Sequence, residues 1–506
     1  MLSKVLIANR GEIAVRVIRA CRELGVRSVA VYSDADRLAP HVLLADEAYR
    51  IGESPSAASY LRADALIETA LRCGCDAIHP GYGFLSERAF FAAAVERAGL
   101  VFIGPAASAI AAMGDKTEAR RRMTAAGVPV VPGLSEPLAD VPAARDAANG
   151  IGYPVLLKAA AGGGGKGMRV VQTDGEMKRA FEAASHEAKS SFGDASVYLE
   201  KYLERPRHIE VQILADAHGA IVHLGERECS IQRRHQKLVE EAPSSILTPE
   251  QRDAMGRAAV AAAAAVGYRN AGTIEFLWQD GSFHFLEMNT RIQVEHPVTE
   301  LVTGHDLVQW QIRIASNEPL DFDQSAVRLT GHAIECRITS EDAFAGFLPS
   351  TGRIERLDVP SGPGVRWDGG VAEGSDISLF YDPLLAKLIV HAPHRTAAID
   401  RMHGALRELR LIGVETSAEL LQRVMQEPDF RDGRIDIRYL EQHANLLVRG
   451  GDEETMRVAA IAAAMLERET RKRRAARRID ASPSQDRGWR GRGWSDRTSR
   501  DRGWRP

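Results

Sequence analysis

A chain of 506 residues with 45% hydrophobic residues and a formal net charge of −3 has room for several globular domains and carries no overall nucleic-acid signature. Of its five cysteines only Cys73 and Cys75 are close-spaced, which argues against a disulfide framework or a four-thiolate zinc site and fits a reducing, cytoplasmic compartment. The apolar run after Met1 is too short for a signal peptide and no stretch approaches a membrane span, so a soluble protein with no membrane partner is expected.

Residues 1 to about 113 alternate between strand and helix patterns: strands at 5–8, 28–32, 76–79 and 101–103, helices at 11–24, 61–72 and 87–98. Such alternation implies a Rossmann-like parallel sheet with helices on both faces, within a chain that is α/β in class and α+β overall. The turn from Ala8 to Glu12 lacks the G-x-G-x-x-G fingerprint, so a dinucleotide site there is not expected. Residues 154–159 form a strand carrying Lys158, and 168–172 return as a strand. Between them Gly162, Gly163, Gly164, Gly165 and Gly167 surround Lys166 in a loop whose backbone N–H groups could close over phosphates. Ala160 and Gly167 stand where a Walker A loop needs Gly and Ser/Thr, so this is a different phosphate flap.

From 197 to 338 the pattern is strand-rich, interrupted by an Ala-rich helix at 253–266. Strands at 273–278 and 283–288 flank Asp280-Gly281, a hairpin signal. Glu275 and Glu287 then share a face if the loop is centred on Gly281, whereas a two-residue Asp280-Gly281 turn puts them out of register. Two carboxylates beside phosphates suit a hard cation. Residues 287–296 alternate polar and apolar, which predicts an extended strand bearing Glu287, Asn289, Arg291, Gln293 and Glu295 on one face. At full extension Glu287 and Glu295 lie about 26 Å apart, so the two acids serve different tasks. Residues 452–478 read as a helix ending in arginine-rich runs. Beyond 478, Ser, Gly, Arg and Trp with two copies of Asp-Arg-Gly-Trp-Arg predict a disordered tail that could contact RNA or an acidic partner.

These motifs together resemble the biotin carboxylase component of biotin-dependent carboxylases, within the ATP-grasp superfamily. The resemblance runs from Lys4 to about residue 446 through segments in a fixed order. They are Ile7-Ala8-Asn9-Arg10-Gly11-Glu12-Ile13-Ala14, His79-Pro80-Gly81-Tyr82-Gly83-Phe84-Leu85-Ser86-Glu87, Phe102-Ile103-Gly104-Pro105 and Met113-Gly114-Asp115-Lys116. The stretch from Glu226 to Lys237, the strand from Glu287, and Glu335-Cys336-Arg337-Ile338 follow. The departures, Thr416-Ser417 for the family's usual Thr-Asn and Tyr60-Leu61-Arg62 where Asn often follows Leu, fall outside the chemistry.

The resemblance implies an N-terminal domain over 1–113, a linker and ATP-grasp lid over 114–203, and a large mixed-sheet C-terminal domain over 204–446. A helical extension over 447–478 and the tail 479–506 follow. It also implies that MgATP (or the Mn²⁺ form) and bicarbonate carboxylate N1 of biotin through carboxyphosphate. In that scheme Lys116, Lys158 and His208 meet the phosphates, with Gly163, Gly164, Gly165 and Gly167 folding over them. Glu200, Lys201, Leu203 and Leu277 form the adenine pocket, with Gln232 and His235 near the ribose and phosphates. Glu275, Glu287 and Asn289 hold the metal; Arg291, Lys237, Gln293 and the backbone of Val294 hold bicarbonate. Glu295 acts as general base, Arg337 stabilises charge on the biotin ureido oxygen, and Tyr82 lines the biotin site.

No Ala-Met-Lys-Met biotinylation motif and no carboxyltransferase region occur in the chain. Biotin is therefore expected on a separate carrier protein, with the carboxyltransferase on further chains and a homodimer as the default assembly. The holoenzyme would carboxylate acetyl-CoA, propionyl-CoA, another acyl-CoA or pyruvate. A fatty-acid-synthetic acetyl-CoA carboxylase is among these outcomes. Two other readings compete: an ATP-grasp ligase using ammonia or an aminoimidazole, which Arg291, Gln293, Glu295 and Arg337 together disfavour, and a non-catalytic binding protein recruited through its tail.

Overall fold

Val5, Leu6 and Ile7 are fully buried, as expected of a central strand covered on both faces. They lie in β1 (Lys4–Ile7), which with β2 (Arg27–Ser33), β3 (Glu47–Gly52), β4 (Ala77–His79) and β5 (Val101–Phe102) forms a parallel sheet of order β3-β2-β1-β4-β5. The helices Gly11–Glu23, Ala63–Arg72 and Ala89–Arg97 fall within two residues of the expected bounds. Strand β3 was not foreseen: it is an edge strand whose Glu47, Tyr49 and Arg50 leave it without an apolar run. Gly81 (φ +61) lets the loop after β4 close on Asn9, since a Cβ there would sit 2.8 Å from the Asn9 amide nitrogen. That nitrogen donates to the carbonyls of Pro80 and Tyr82, both at 2.7 Å.

The computed structural model describes residues 1–134, 137–159, 168–192, 194–234, 236–449, 457–458, 460–469 and 471. Contacts divide the chain into units 1–448 and 449–506. Within the first unit, β6 (Val155–Ala159), β7 (Met168–Val171) and β8 (Val197–Lys201) make an antiparallel sheet of order β7-β6-β8. Its core joins Val155, Leu157, Val171 and Leu199 to Ala144 and Ala148 of helix Val141–Ile151 and Ala184 of helix Met177–Phe192. Gly163, Gly164, Gly165 and Gly167, and likewise His235, lie outside the described residues.

An eight-stranded sheet carries the rest: β9 (Arg207–Ala215), β10 (Ile221–Arg233), β11 (Gln236–Ala242), β12 (Asn270–Gln279), β13 (Ser282–Asn289), β14 (His332–Thr339), Leu384–Ala392 and Val365–Gly369. Its order is β13-β12-β9-β10-β11-β14 followed by Leu384–Ala392 and Val365–Gly369. Every pairing is antiparallel, where a mixed sheet was expected. The Ala-rich helix runs Pro249–Ala264, starting earlier than its alanines indicate because Thr248 and Gln251 form a reciprocal capping box.

Two expectations about β12 and β13 need correction. Asp280 (φ 51) and Gly281 (φ 83) do form a two-residue turn, with Gln279 opposite Ser282. Glu275 nevertheless faces Glu287, because the ladder passes from Phe276↔Phe285 to Glu275↔Glu287 and Leu286 is the extra residue of a β-bulge. The extended strand through 295 is not formed: β13 stops at Asn289, and Glu295 stands at the N-cap of helix His296–Thr303, with Pro297 in its first turn. Glu87 draws the chain off the sheet, accepting from the Thr290 backbone N–H at 3.1 Å and from Arg291 Nε at 2.9 Å.

In the second unit residues 457, 458, 460–469 and 471 are helical; the rest of the expected 452–478 helix and the tail lie outside the described residues. All five cysteines are free thiols. Among the described residues no helix is long and apolar enough to cross a membrane.

Candidate active site

Alternation along β9 turns His208, Glu210 and Gln212 to one face. The β9–β12 ladder sets Leu277 opposite His208, Glu275 opposite Glu210 and Thr273 opposite Gln212. On that face Lys237, from β11, is the centre: its ammonium donates to Glu210 Oε2 at 2.5 Å, Glu295 Oε1 at 2.6 Å and Glu275 Oε1 at 3.0 Å. Glu210 and Glu295 are fully buried, Glu275 and Lys237 nearly so. Burial works against the Lys237 charge, yet the three carboxylates overrule it and hold its pKa well above the ordinary lysine value.

Glu295 is clamped from its other side by Arg337 of β14, whose Nη2 donates to Oε2 at 2.8 Å while Nε donates to Glu240 at 2.6 Å. Burial alone would raise the Glu295 carboxyl; Lys237, Arg337 and Arg227 reverse that and keep it well below the usual range, so it is ionised. Arg227 is completely buried and spends its guanidinium on Glu210 (2.5 Å), Gln212 (2.7 Å), Thr273 and Thr299 (both 3.0 Å). It therefore locks the acid beneath Lys237.

The polar residues after β13 stay together by hydrogen bonds in place of a pleat. Arg291 donates to Asn289 Oδ1 at 2.9 Å and Gln293 Oε1 at 3.0 Å; the Asn289 and Gln293 amides donate to Glu275 Oε1 at 2.9 and 3.3 Å. Arg291 also pairs with Glu87. Glu275 and Glu295 thus meet through one ammonium. Val294 presents its backbone between Gln293 and Glu295, and its carbonyl accepts from the fully buried Lys387 at 2.8 Å. Lys387 also pairs with Glu12 at 3.1 Å, and Glu12 accepts from the Tyr82 hydroxyl.

For a divalent cation, Glu275, Glu287 and Asn289 offer hard oxygen donors along adjacent strands, which fits magnesium or manganese in kind. Glu287 is exposed and Asn289 buried. Among the histidine, cysteine and acidic side chains of the described residues, however, those gathered with Glu275 are His208 and Glu210, their ligand atoms all within 4.8 Å of one another. His208 Nε2 sits 3.1 Å from Glu275 Oε2, and although burial disfavours its charge, Glu275 raises its pKa. Glu210 accepts from Arg227 and Lys237, whereas Glu275 accepts from Lys237, Asn289 and Gln293 on Oε1 and faces His208 through Oε2.

Lys158 pairs with Glu200 across β6 and β8. Lys201 caps the carbonyls of Gly152 and Tyr153 at 2.9 and 3.0 Å. Leu203 and Leu277 are half-buried, and Gln232 is buried opposite Lys237 on the β10–β11 ladder. Lys116 is exposed at the start of helix Lys116–Ala125, close enough for its charge to act on Glu287. Sequence reading missed Glu210, Arg227, Glu87, Glu12, Glu240 and Lys387. The polar alternation of His208, Glu210 and Gln212 was a usable signal, as was a lone lysine within the apolar strand Leu384–Ala392.

A family model described as biotin carboxylase, N-terminal domain, matches residues 1–110; one described as biotin carboxylase C-terminal domain matches 335–442. Between them, residues 115–323 match the ATP binding domain of the carbamoyl-phosphate synthase L chain. The chain is 52% identical over 468 residues to one of the subunits of pyruvate carboxylase from Methanothermobacter thermautotrophicus, covering 92% of this chain and 94% of that one. It is 52% identical over 443 residues to a biotin carboxylase of Haemophilus influenzae, covering 87% and 99%. The biotin carboxylase domain dimer of Hydrogenobacter thermophilus 2-oxoglutarate carboxylase, solved with MgADP, ADP and bicarbonate, superposes with a TM-score of 0.83. It is 52% identical, and the match covers 89% of this chain and all of that one.

Proposed function

The chain belongs to the biotin carboxylase family of ATP-dependent ligases, and on that premise we propose that it uses MgATP and bicarbonate to carboxylate N1 of biotin on a separate carrier protein. The observation that carries this reading is the buried Lys237–Glu295–Arg337 unit beside the Arg291–Gln293 pair. It supplies an ionised carboxylate held between two cations, with the Arg291 guanidinium and the Gln293 amide next to it.

In this reading Arg291 and Lys237, with Gln293 and the Val294 backbone, hold bicarbonate. Glu295 removes its proton as it attacks the γ-phosphorus and ADP leaves, which gives carboxyphosphate. A positioned base of this kind contributes typically 10² to 10⁴-fold. Carboxyphosphate breaks down to CO₂ and phosphate, the phosphate takes the N1 proton of biotin, and N1 attacks CO₂. Arg337 faces the ureido oxygen of biotin as negative charge develops there, an oxyanion role. Tyr82, fixed by Glu12, lines the biotin site. Lys116, Lys158 and His208 take the nucleotide phosphates, and Lys158 exchanges Glu200 for them. Glu200, Lys201, Leu203 and Leu277 border the adenine, with Gln232 and His235 near the ribose. Gly163, Gly164, Gly165 and Gly167 close over the phosphates and exclude water. Glu275, Glu287 and Asn289 would hold a divalent cation, which when bound neutralises phosphate charge.

The same reading assigns 1–113 to an N-terminal domain, 114–203 to linker and lid, and 204–446 to the C-terminal domain. It expects a homodimer, as in the Hydrogenobacter structure, in a reducing cytoplasm. Carrier and carboxyltransferase reside on other chains. Near-complete coverage of a single pyruvate carboxylase component and of a protein named biotin carboxylase supports that division. The carboxyl acceptor, whether acetyl-CoA, propionyl-CoA, another acyl-CoA or pyruvate, is set by the carboxyltransferase.

The test is phosphate release from MgATP and bicarbonate with and without free biotin, beside Glu295→Gln. Release that depends on biotin and drops about 10² to 10⁴-fold in the variant is expected. Release stimulated by ammonia and indifferent to both biotin and purified biotinyl carrier would sink the reading.

A further inference from the structure

Behind Arg337 lies a second pair of acids that the reaction as described does not use. Glu240 of β11 and Glu335 of β14 are direct partners on the antiparallel ladder, so their side chains share a face, with Cβ atoms about 5 Å apart. Both are fully buried. Glu240 Oε1 accepts from Arg337 Nε, but Glu240 Oε2 and both carboxyl oxygens of Glu335 have no hydrogen-bond partner among the described residues. Their ladder neighbours Ala242, Ala333 and Ile389 pack with Val298 and Val302 of helix His296–Thr303, so this side of the pair is apolar.

Two ionised carboxylates cannot sit side by side there. Arg337 alone hydrogen-bonds the pair, and three of the four carboxyl oxygens lack a donor among the described residues. One proton removes one of the two charges and joins two of the three unpartnered oxygens, because the O–H of one acid then donates to an oxygen of the other. We propose that Glu240 and Glu335 share a single proton across the β11–β14 ladder and that this pair positions Arg337 against Glu295. The inference rests on the biotin carboxylase reading for its kinetic consequence, though not for the proton itself.

The charged neighbours are consistent with one shared proton. Arg337 of β14 faces the pair, Lys237 lies along β11, Glu295 stands at the start of helix His296–Thr303, and Lys387 lies on Leu384–Ala392. Lys237 is committed to Glu210, Glu275 and Glu295; Lys387 reaches Val294 and Glu12 and acts on Glu335 through its charge without a hydrogen bond to either Glu335 oxygen. Burial, opposed by Arg337 and reinforced by Glu295, pushes Glu240 up to about 7; burial likewise sends Glu335 well above the carboxylate range, against Lys387. The proton belongs to the pair and not to either residue. With it in place, the pair carries one negative charge and Arg337 divides its donors between Glu240 and Glu295. When it leaves at alkaline pH, a second charge gathers behind Arg337 and draws the guanidinium away from Glu295.

Glu240 and Glu335 are thus positioning residues, and three measurements test the pair. In difference infrared spectra at neutral pH, wild type minus Glu335→Gln should contain the carbonyl band of a protonated carboxylic acid. Its absence overturns the shared proton whether or not the protein turns over. In biotin-dependent phosphate release, Glu335→Gln retains a donor for Glu240 and should keep kcat within about 2-fold while losing the alkaline ionisation of the wild-type profile. Glu335→Leu removes that donor and should lower kcat about 10-fold with KM for ATP unchanged, the scale of a misplaced group. If the leucine variant does not fold, the glutamine variant's band and pH profile still decide. A Glu335→Leu enzyme with wild-type kcat, or a Glu335→Gln enzyme with an unaltered alkaline limb, refutes the positioning role. Absence of biotin-dependent turnover in wild type would instead defeat the functional reading and leave the infrared test standing.

Discussion

Lys387→Met is the substitution whose consequences the structure specifies most fully. The ammonium is fully buried and has two partners, the Val294 carbonyl at 2.8 Å and Glu12 at 3.1 Å. Methionine replaces most of the volume and none of the donors. A charge-assisted hydrogen bond contributes about 1.5–3 kcal/mol, and removing one partner of a buried ion pair costs about 3–5 kcal/mol. These overlap, since both arise from one group, and Glu12 keeps the Tyr82 hydroxyl. The cost is further limited because Glu12 can take up a proton. Burial already raises its pKa, Lys387 opposes that rise, and the variant loses the opposition. The sign follows from linkage: above the unfolded carboxyl value of 4.5 the native state retains a proton that the unfolded state has released, so stability falls as pH rises. We expect a loss of about 3 kcal/mol at pH 8 and less at pH 6, read from urea midpoints at both values. On the proposed assignment the Val294 backbone helps hold bicarbonate, so KM for bicarbonate should rise about 10-fold with KM for ATP within 2-fold. A variant with unchanged midpoints at both pH values and an unchanged bicarbonate KM would refute the linkage of Glu12, Lys387 and Val294.

Two further outcomes concern elements around the site. Glu241 accepts from His332 Nε2 and Arg395 Nε, both at 2.7 Å; burial would raise its carboxyl, but Arg395 and His332 lower it from 4.5 to about 2. The resulting stabilisation is present above pH 4.5 and lost as pH falls toward 2. Glu241→Gln should therefore cost about 3 kcal/mol at pH 7 and progressively less in acid, measured by chemical denaturation across that range. Asp115 caps helix Lys116–Ala125 by accepting from the Thr117 and Glu118 backbone N–H groups, both at 2.9 Å. Asp115→Ala should cost about 1 kcal/mol of stability and, by loosening the turn that presents Lys116, raise KM for ATP a few-fold without touching bicarbonate.

How much of this was readable in sequence depends on where the determining contact lies. The β1 and β2 strands and the helix between them were legible because apolar period and glycine punctuation are local. The polar order Asn289, Arg291, Gln293, Glu295 was legible too, but its cause was misjudged. Alternation pointed to a strand, whereas Glu87, about two hundred positions earlier, and Pro297 end it at Asn289. The pairing of Glu275 with Glu287 turned on Leu286, whose bulge no residue pattern announces. Glu12, Glu210 and Glu240 gain meaning only through lysine and arginine residues on other elements, so single-strand patterns could not rank them.

One property of the site follows from those distant acids. Each described cation assigned to bicarbonate or biotin already has a carboxylate of the chain as partner: Lys237 with Glu210, Glu275 and Glu295, Arg291 with Glu87, Arg337 with Glu240 and Glu295. The three N–H donors of Lys237 are all committed, so an incoming anion reaches it by displacing or sharing a bond, and the longest, 3.0 Å to Glu275, is the one most readily given up. The anion gains only the difference between its contacts and those it replaces. A site built this way holds its cations in place before substrate arrives, yet gives no large uniform affinity to small anions. Its binding energy is therefore available for the charge that develops during reaction and not for the ground state.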